Sequence, residues 1–503
     1  MKAFLMNAEA DFNWQPEALS NEQDLMADLE LEVVLEAMAS GDKRIFEVAH
    51  AALLHPLSGP EDIRYRQAAL SDCLAEPVLA RQLYALALES LNADRGLWGF
   101  WRGSPESTLG SAQRSLNLLI DKVRELRVFA DAHGDKFSSK AFTRLFGMLK
   151  SELSDEYFEQ VKRQLQEVEF KHGTLISARL GPGNKGTDYV LRLTPEVSWR
   201  DRIAQLRRPE HSFDVHPRDE GGQNALSELR GIALNEAANA LAQSVDHIKN
   251  FFRMLATELA FYIGCLNLTG KLAEIGAPTC IPEPSPLTPA ELTVRDLYEV
   301  SLTLRIGHPA VGNDIDGSGK NLIIVTGANR GGKSTFLRSM GLAQLMMQCG
   351  MPVGAQSFKA NVRDRVFTHY KREEDNTMES GKLDEELVRM SRIADQITPA
   401  SLFLSNESFA STNEREGSEI SRQVVHALGE AGVKIVFVTH LFDFSESILL
   451  EARDDVLFLR ATREDDGERS YKLITGDPLP TSYGEDTFRT IFGHQQPEME
   501  TLR

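Results

Sequence analysis

The sequence has few cysteines, no excess of positive charge and no secretory signal. Its four cysteines stand far apart without a Cys-x-x-Cys pair, so we interpret them as reduced core thiols rather than zinc ligands. The formal net charge of -19 excludes a chain coated in basic surface, and any contact with nucleic acid must be local. The most apolar helical candidate, around 259–268, is too short to span a membrane. We therefore expect a cytoplasmic protein with no membrane partner.

Helical periodicity dominates the first half of the chain. Stretches with apolar residues three and four apart predict helices over 25–91, 116–129, 142–170 and 224–274. Strand-like stretches at 174–180 and 187–193 flank a glycine-rich hairpin signal. We predict three parts here: an N-terminal tail at 1–24, a helical core domain at 25–277 with the β-hairpin insertion near 171–220, and a proline-rich linker at 278–295.

After the linker, short apolar strands alternate with helices, which is typical of an α/β domain with a parallel sheet. The clearest strands are 321–326, 401–405 and 434–438. Each of them is followed directly by polar residues of types that bind ligands or act in catalysis. We predict that this second domain covers 296–503.

The first of these strands runs into an octet that fits Gly-x-x-x-x-Gly-Lys-Ser. The octet comprises Gly327, Ala328, Asn329, Arg330, Gly331, Gly332, Lys333 and Ser334. Glycines let successive N–H groups point at phosphate oxygens, Lys333 can meet the β and γ phosphates, and the Ser334 hydroxyl can ligate Mg²⁺. A glycine-rich loop that binds nothing is the alternative. The octet follows an apolar strand and opens a helix, which favours an ATP site.

A carboxylate and a histidine at the ends of the other two strands are the candidate catalytic groups. Glu407 is costly to bury unless it is used, and we interpret it as a general base that orients the attacking water. The alternative is an acid that caps a helix. His440 follows the third strand and can sense or stabilise the γ phosphate, or it is a structural histidine.

The segment 325–444 resembles the ATPase domain of MutS, the DNA mismatch repair family. That family's P-loop reads Thr-Gly-Pro-Asn-Met-Gly-Gly-Lys-Ser-Thr, and residues 326–335 read Thr-Gly-Ala-Asn-Arg-Gly-Gly-Lys-Ser-Thr. The segments 353–356, 364–368 and 439–443 are similar to the family's Val-Pro-Ala-Gln, Asp-Arg-Ile-Phe-Thr and Thr-His-Tyr-Phe-Glu. The resemblance implies a P-loop NTPase domain of the MutS/ABC type that uses ATP and Mg²⁺, with Thr335 in the ATP site and Ser334 and Asn406 at the metal.

A fainter resemblance extends upstream. His55, Pro56 and Leu57 are similar to the start of the family's helical core, and Asn313 with Asp314 resembles its Asn-Asp before the first strand. The two helical stretches around the hairpin resemble levers that carry a clamp. Nothing before residue 25 is long enough for the family's mismatch-reading domain, so we expect a core-plus-ATPase member without it.

The chain also departs from the family pattern. Asn406 stands where the family has the Walker B aspartate, which removes a negative charge beside the metal and is expected to slow hydrolysis. Phe409 and Ser411 replace the glycines of the family's Gly-Arg-Gly. The serine-threonine pair that reaches the partner's nucleotide has only Ser380 as a candidate.

The segment 171–218 carries nine Lys or Arg and five Asp or Glu, and Arg207 with Arg208 is its densest basic pair. A basic tip on long levers would contact DNA phosphates without reading sequence; a solvated loop is the alternative. Our first hypothesis is an ATP-driven, nucleoid-associated DNA clamp that forms a homodimer. The second is an ATP-binding interaction protein with little hydrolysis. A transporter-type ATPase shares the loop chemistry but fits the lever helices poorly.

Overall fold

The computed structural model describes residues 1–93, 104–170, 173–192, 213–372, 381–462 and 469–479. The chain forms two compact units, of which one contains Met1–Leu5 with Val78–Ala256 and the other Met6–Pro77 with the chain from Thr257 onward. Helices and mixed sheets together make a multidomain α/β protein. This division into units reflects which parts of the chain pack together. The domain bounds predicted from the sequence stay a prediction.

The secondary-structure elements of the described residues are numbered here in chain order. The helices are α1 (Glu22–Asp28), α2 (Leu31–Ala39), α3 (Lys43–Leu54), α4 (Pro60–Ala75), α5 (Pro77–Asn92), α6 (Pro105–His133), α7 (Lys140–Glu152), α8 (Asp155–Glu167), α9 (Glu220–Ile275), α10 (Val300–Ile306), α11 (Lys333–Gln348), α12 (Lys382–Ala394), α13 (Glu414–Glu430) and α14 (Phe442–Leu450). The strands are β1 (Leu175–Leu180), β2 (Gly186–Arg192), β3 (Glu283–Ser285), β4 (Leu292–Leu297), β5 (Asn313–Asp316), β6 (Leu322–Gly327), β7 (Ser357–Asn361), β8 (Val366–Tyr370), β9 (Leu402–Asn406), β10 (Lys434–Val438), β11 (Val456–Ala461) and β12 (Leu473–Thr475).

The helical periodicity of the first half predicts helices in the right places but merges some of them, since the stretch over 25–91 contains α1 to α5. The predicted turn at 55–60 separates α3 from α4, and the apolar face of α6 is buried. The single helical stretch predicted over 142–170 is wrong, because it is two helices, α7 and α8. The break falls at Ser154, whose side chain accepts a hydrogen bond from the Tyr157 backbone nitrogen at 3.2 Å and so caps α8.

The predicted hairpin is confirmed. β1 and β2 pair antiparallel, with Leu175 opposite Arg192 and Leu180 opposite Gly186. Gly183 takes a left-handed φ of 70° in the connecting turn, a conformation that glycine adopts at little cost. In the chain this hairpin stands between α8 and α9, and the interpretation of these helices as levers stays a prediction.

Helix α9 is much longer than the apolar stretch that the sequence picks out. It has 56 residues, and by length and composition it could cross a membrane, so the argument from a short apolar segment was wrong. Its most apolar window of 18 residues is 83% buried inside the protein. Burial against protein is the property of a core helix rather than of a lipid-facing one.

The second unit contains a six-stranded sheet with the order β12-β11-β6-β10-β9-β8. All neighbours run parallel except β12 with β11. The central strands are almost continuous apolar runs because both faces of the sheet are covered. Val438 of β10 pairs with both Val325 of β6 and Asn406 of β9, so β9 and β10 end at the same level and β6 continues beside them to Gly327.

The linker predicted over 278–295 is in fact part of a second sheet, with the order β3-β7-β4-β5. β3 and most of β4 fall within it, and Pro284 pairs with Ala360 of β7. Proline cannot donate a backbone hydrogen bond, but β3 is an edge strand with one neighbour, where a missing donor is tolerated. Proline content alone was therefore a misleading signal of an unstructured linker.

Three of the four cysteines, Cys73, Cys265 and Cys349, are buried free thiols, as interpreted from the sequence, and Cys280 is half-buried.

The larger sheet also buries a lysine side chain. Lys434 begins β10 with 4% exposure, and its Nζ has no hydrogen-bond partner in the part of the chain that the structure describes. Burial lowers the pKa of Lys434 to about 7, and the positive charge of Arg363 adds to the shift.

We expect Lys434→Met to stabilise the protein at pH 7, because it removes the cost of burying a charge. An unfolded lysine has a pKa of about 10.4, so between pH 7 and 10 the unfolded chain binds a proton that the folded chain does not. The free energy of unfolding of the parent should then rise with pH by up to about 1.36 kcal/mol per unit, and the advantage of the variant should shrink.

Urea unfolding of parent and variant from pH 6 to pH 10 measures this difference. Lys43→Met is the matched control, because 89% of that lysine side chain is exposed. A stability difference that is independent of pH, as expected for the control, would show that Lys434 stays charged in the folded protein.

Candidate functional site

The loop between β6 and α11 passes too close to β11 for side chains at its glycines. Gly327 has a φ of 107° and Gly332 a φ of 88°, left-handed values that favour glycine. A Cβ atom on Gly327 would lie 2.9 Å from the backbone nitrogen of Ala461, and one on Gly331 would lie 2.7 Å from the Ala461 Cβ. Gly327 and Gly331 are therefore required by the packing of this loop, and Gly332 by its left-handed backbone.

The other loop residues differ in exposure. Ala328 is fully buried beneath the loop, whereas Arg330 is exposed and holds a left-handed φ of 59°. Asn329 and Thr335 line the cavity that the loop borders. Seven of the nine predicted ATP-binding residues line this cavity directly, and Gly327 and Ala328 contribute through their carbonyl groups.

Lys333 opens α11, and its side chain turns back onto the loop. Its Nζ donates to the carbonyl oxygens of Gly327 and Ala328, each at 3.0 Å, and only 4% of the residue is exposed. Burial lowers the pKa of Lys333 to about 8, while the Glu407 carboxylate opposes that shift and the charge of Arg469 adds to it. The site therefore holds a poorly solvated cation that an anion in the cavity would stabilise.

Ser334 and Asn406 join the loop to β9. The Ser334 hydroxyl donates to Oδ1 of Asn406 at 2.8 Å, at the carboxyl end of that strand. Two adjacent neutral oxygens suit a hard cation such as Mg²⁺, which prefers oxygen ligands and usually retains water. The pair fits the predicted metal position, but Asn406 brings no negative charge to it.

Glu407 and His440 come from neighbouring strands and meet at the same edge. His440 Nε2 lies 2.9 Å from Oε1 of Glu407. This hydrogen bond lowers the pKa of the Glu407 carboxyl; burial opposes the shift, and the positive charges of His440 and Lys333 support it. The alternative of a helix-capping acid is excluded, because Asn413 caps α13 by accepting a hydrogen bond from the Glu416 nitrogen at 3.0 Å.

Lys333, Ser334, Glu407 and His440 border one cavity of about 450 Å³, and Asn406 reaches it through its hydrogen bond with Ser334. The loop, Glu407 and His440 form its polar end. A mainly apolar wall comes from α10 and the residues after it, which include Leu302, Ile306, His308, Pro309 and Val311. A polar end beside an apolar wall is the usual make-up of a small-molecule site.

Asn313 and Tyr471 close another side of the cavity. Oδ1 of Asn313 accepts a hydrogen bond from the Leu473 nitrogen at 2.7 Å, and its Nδ2 donates to the Tyr471 carbonyl at 3.4 Å. The sequence predicts neither Tyr471 nor the apolar wall as site residues, because no local spacing relates them to the octet. The one sequence signal for this wall was Gly307, because a glycine commonly ends a helix in a left-handed conformation. It ends α10 here, and Pro309 follows in a loop.

Several predicted contacts lie outside the described residues. These are the basic pair Arg207 and Arg208 and the partner-contact candidate Ser380. Of the basic segment 171–218, the structure describes the hairpin and the part from residue 213. The hairpin presents the side chains of Arg179, Lys185 and Arg192 at its surface.

Comparison with known proteins gives matches to both halves of the chain. The family model for the MutS2 N-terminal domain matches residues 58–275, and the model for MutS domain V matches residues 323–490. The DNA mismatch repair protein MutS of Synechococcus sp. (strain CC9902) is 29% identical over 311 residues, which cover 57% of this chain and 31% of that protein. Endonuclease MutS2 of Lacticaseibacillus casei (strain BL23) is 25% identical over 391 residues, 74% of this chain and 47% of that protein.

The fold and the site define a multidomain α/β protein with a glycine-rich loop and a strand-end acid at the carboxyl edge of its larger sheet. Its helical part and its α/β part each match a model of one protein family. The chain belongs to the MutS family. It spans less than half of the length of the two curated relatives described, 31% of one and 47% of the other.

Proposed function

We propose that this protein binds and hydrolyses ATP and that the nucleotide controls its hold on DNA. The observation that carries the proposal is the meeting of Lys333, Ser334 and the Glu407–His440 pair around one cavity, with Asn406 hydrogen-bonded to Ser334. Each group has a role in phosphoryl transfer, in which positioning and charge stabilisation supply most of the catalysis.

Each of these groups would have its own role in binding or hydrolysing ATP. Backbone N–H groups of the loop and the start of α11 would face the phosphates, and Lys333 would exchange its carbonyl partners for β and γ oxygens. Ser334 and Asn406 would hold Mg²⁺, which neutralises charge on those oxygens. Glu407, anionic and fixed by His440, would orient the attacking water and accept its proton.

DNA is the macromolecular ligand that we propose, because the relatives are named as DNA mismatch repair proteins and as an endonuclease. The exposed cations of the hairpin suit phosphate contacts. Phosphate contacts carry no sequence information, so binding should be independent of sequence and indifferent to a single mismatch. We further propose a homodimeric clamp whose sites are completed between subunits. The nuclease activity in one relative's name is not part of the proposal.

Asn406 favours a second function, an ATP-binding interaction protein with little hydrolysis. The amide keeps the hydrogen bond to Ser334 but removes the charge that a Walker B carboxylate supplies. ATP turnover measured with and without duplex, branched and single-stranded DNA separates the two functions. Turnover that DNA changes supports the clamp, whereas tight binding without turnover in every case supports the interaction protein.

Lys333→Ala and Glu407→Gln should separate nucleotide binding from hydrolysis. The first removes the charge partner of the β and γ phosphates and should abolish ATP binding. The second keeps binding and should lower turnover by roughly 10²–10⁴-fold, the usual contribution of a general base. Titration with a fluorescent ATP analogue and phosphate-release kinetics measure the two effects.

Glu419→Gln is the control for this pair, because that carboxylate is exposed on α13 and bonded to Arg422 and Gln423. Unchanged affinity in Lys333→Ala would contradict the assignment of the phosphate site. Parental turnover in Glu407→Gln would place the base elsewhere.

Asn406→Asp should raise turnover at low Mg²⁺, because a carboxylate binds this ion more tightly than an amide does. At saturating Mg²⁺ the parent and the variant should converge, since occupancy no longer limits either. A magnesium titration of steady-state turnover in both proteins is the measurement. Coincident curves would mean that another acid already supplies the missing charge.

Replacing Arg179 and Lys185 by glutamine should weaken DNA binding and flatten its salt dependence. Each lost phosphate contact should reduce the slope of log K against log salt by about 0.9, so by roughly 1.8 for the pair. Affinities for a matched duplex and a single-mismatch duplex at several salt concentrations test both parts. Arg392→Gln, an exposed change on α12, is the control. An unchanged slope would contradict the hairpin contacts, and a tenfold preference for the mismatch would contradict backbone-only binding.

A further inference from the structure

A buried carboxylate outside the cavity holds the turn that follows Glu407. Glu386 lies on α12 with 5% exposure. Its Oε2 accepts a hydrogen bond from the Phe409 backbone nitrogen at 2.5 Å, and its Oε1 accepts one from the Ser411 hydroxyl at 2.8 Å. A buried carboxylate is costly without such donors, so both of its oxygens are committed to this turn.

The turn needs this support because it has an unusual backbone. Glu407 and Phe409 have φ values of 54° and 61°, in the left-handed region that residues with side chains rarely adopt. The Phe409 ring is fully buried, and its carbonyl lies so close to Gly417 that a Cβ there would be 2.4 Å away. Such backbone persists only where its surroundings fix it from several sides.

A second contact ties the same turn to β8. His369 is fully buried, and its Nε2 donates to the backbone carbonyl of Glu386 at 3.0 Å. Its Nδ1 lies 2.6 Å from the Ser408 hydroxyl, and the Ser405 hydroxyl donates a hydrogen bond to Ser408 at 2.7 Å. The imidazole stacks on the Phe409 ring at 5.3 Å. Glu386 and His369 thus hold the turn at Ser408, Phe409 and Ser411.

We propose that Glu386 is a positioning residue for Glu407: by holding Phe409 and Ser411 it sets the backbone that presents the Glu407 carboxylate to the cavity. This inference rests on the proposed role of Glu407 as general base. Glu386 does not itself line the cavity. It therefore acts on the rate of hydrolysis through Glu407 and leaves the binding of ATP to the loop unaffected.

Glu386→Gln tests this directly. An amide accepts at one oxygen only and turns an NH₂ group towards a donor, so one of the two contacts is lost. We expect kcat to fall at least about tenfold, since small misplacements of a catalytic group are costly. The loop contacts that would bind ATP are unchanged in this variant. The dissociation constant for ATP should therefore stay within about twofold of the parental value.

Three further variants make the result specific. Ser411→Ala removes only the hydrogen bond from Ser411 to Glu386 and should lower kcat less than Glu386→Gln does. If Glu386→Gln does not fold, Ser411→Ala alone tests the proposal. Glu385→Gln makes the same change one residue away on α12 and should alter nothing. In a Glu407→Gln background, Glu386→Gln should cause no further fall in kcat, because residues that act through one group are not additive.

The proposal is overturned if Glu386→Gln and Ser411→Ala keep the parental kcat, if ATP affinity falls in parallel with kcat, or if the double variant shows the two losses multiplied. A failure of the proposed function gives a different result. In that case Glu407→Gln itself keeps the parental turnover. Thermal unfolding of each variant confirms that the compared proteins are folded.

Discussion

The site depends on the register of β10 between β6 and β9. Val438 pairs with Val325 on one side and Asn406 on the other, and the Glu407 nitrogen donates to the Val438 carbonyl at 2.9 Å. The carboxyl ends of the three strands are thereby fixed beside one another, each leading into polar residues. A slip of one residue would exchange the side chains on the two buried faces of β10, so close packing on both faces protects the alignment of the site.

The sequence predicts what depends on contiguous residues. The octet is recognisable because the turn, the cation and the hydroxyl follow one another, and the hairpin because its turn lies between two strand-like runs. It does not predict the apolar wall, which comes from a different loop. Glu386 is likewise indistinguishable from Asp384 and Glu385 beside it, because only tertiary contacts give it two donors. The proline-rich β3 fails for a related reason, since edge position is a property of the assembled sheet.

The turn after Glu407 shows how strain and packing balance. A left-handed residue with a side chain costs roughly 1–2 kcal/mol relative to the right-handed form. Burying a phenylalanine ring contributes about 1.5–3 kcal/mol, and Phe409 is fully buried. Packing therefore offsets part of the strain at Phe409, where the MutS pattern has glycine, and the hydrogen bond to Glu386 adds to it. Glu407 is half-exposed and gains no comparable free energy from burial. Its left-handed conformation therefore depends on hydrogen bonds from the surrounding structure.

The buried ammonium group of Lys333 links anion binding to protons. Burial lowers its pKa to about 8 while carbonyl oxygens are its acceptors. A phosphate group there would favour the charged form and raise that pKa. Near and above pH 8, binding would therefore take up a proton from the solvent, and affinity would decline as the pH rises. Binding heats measured by calorimetry in that range would then depend on the ionisation enthalpy of the buffer.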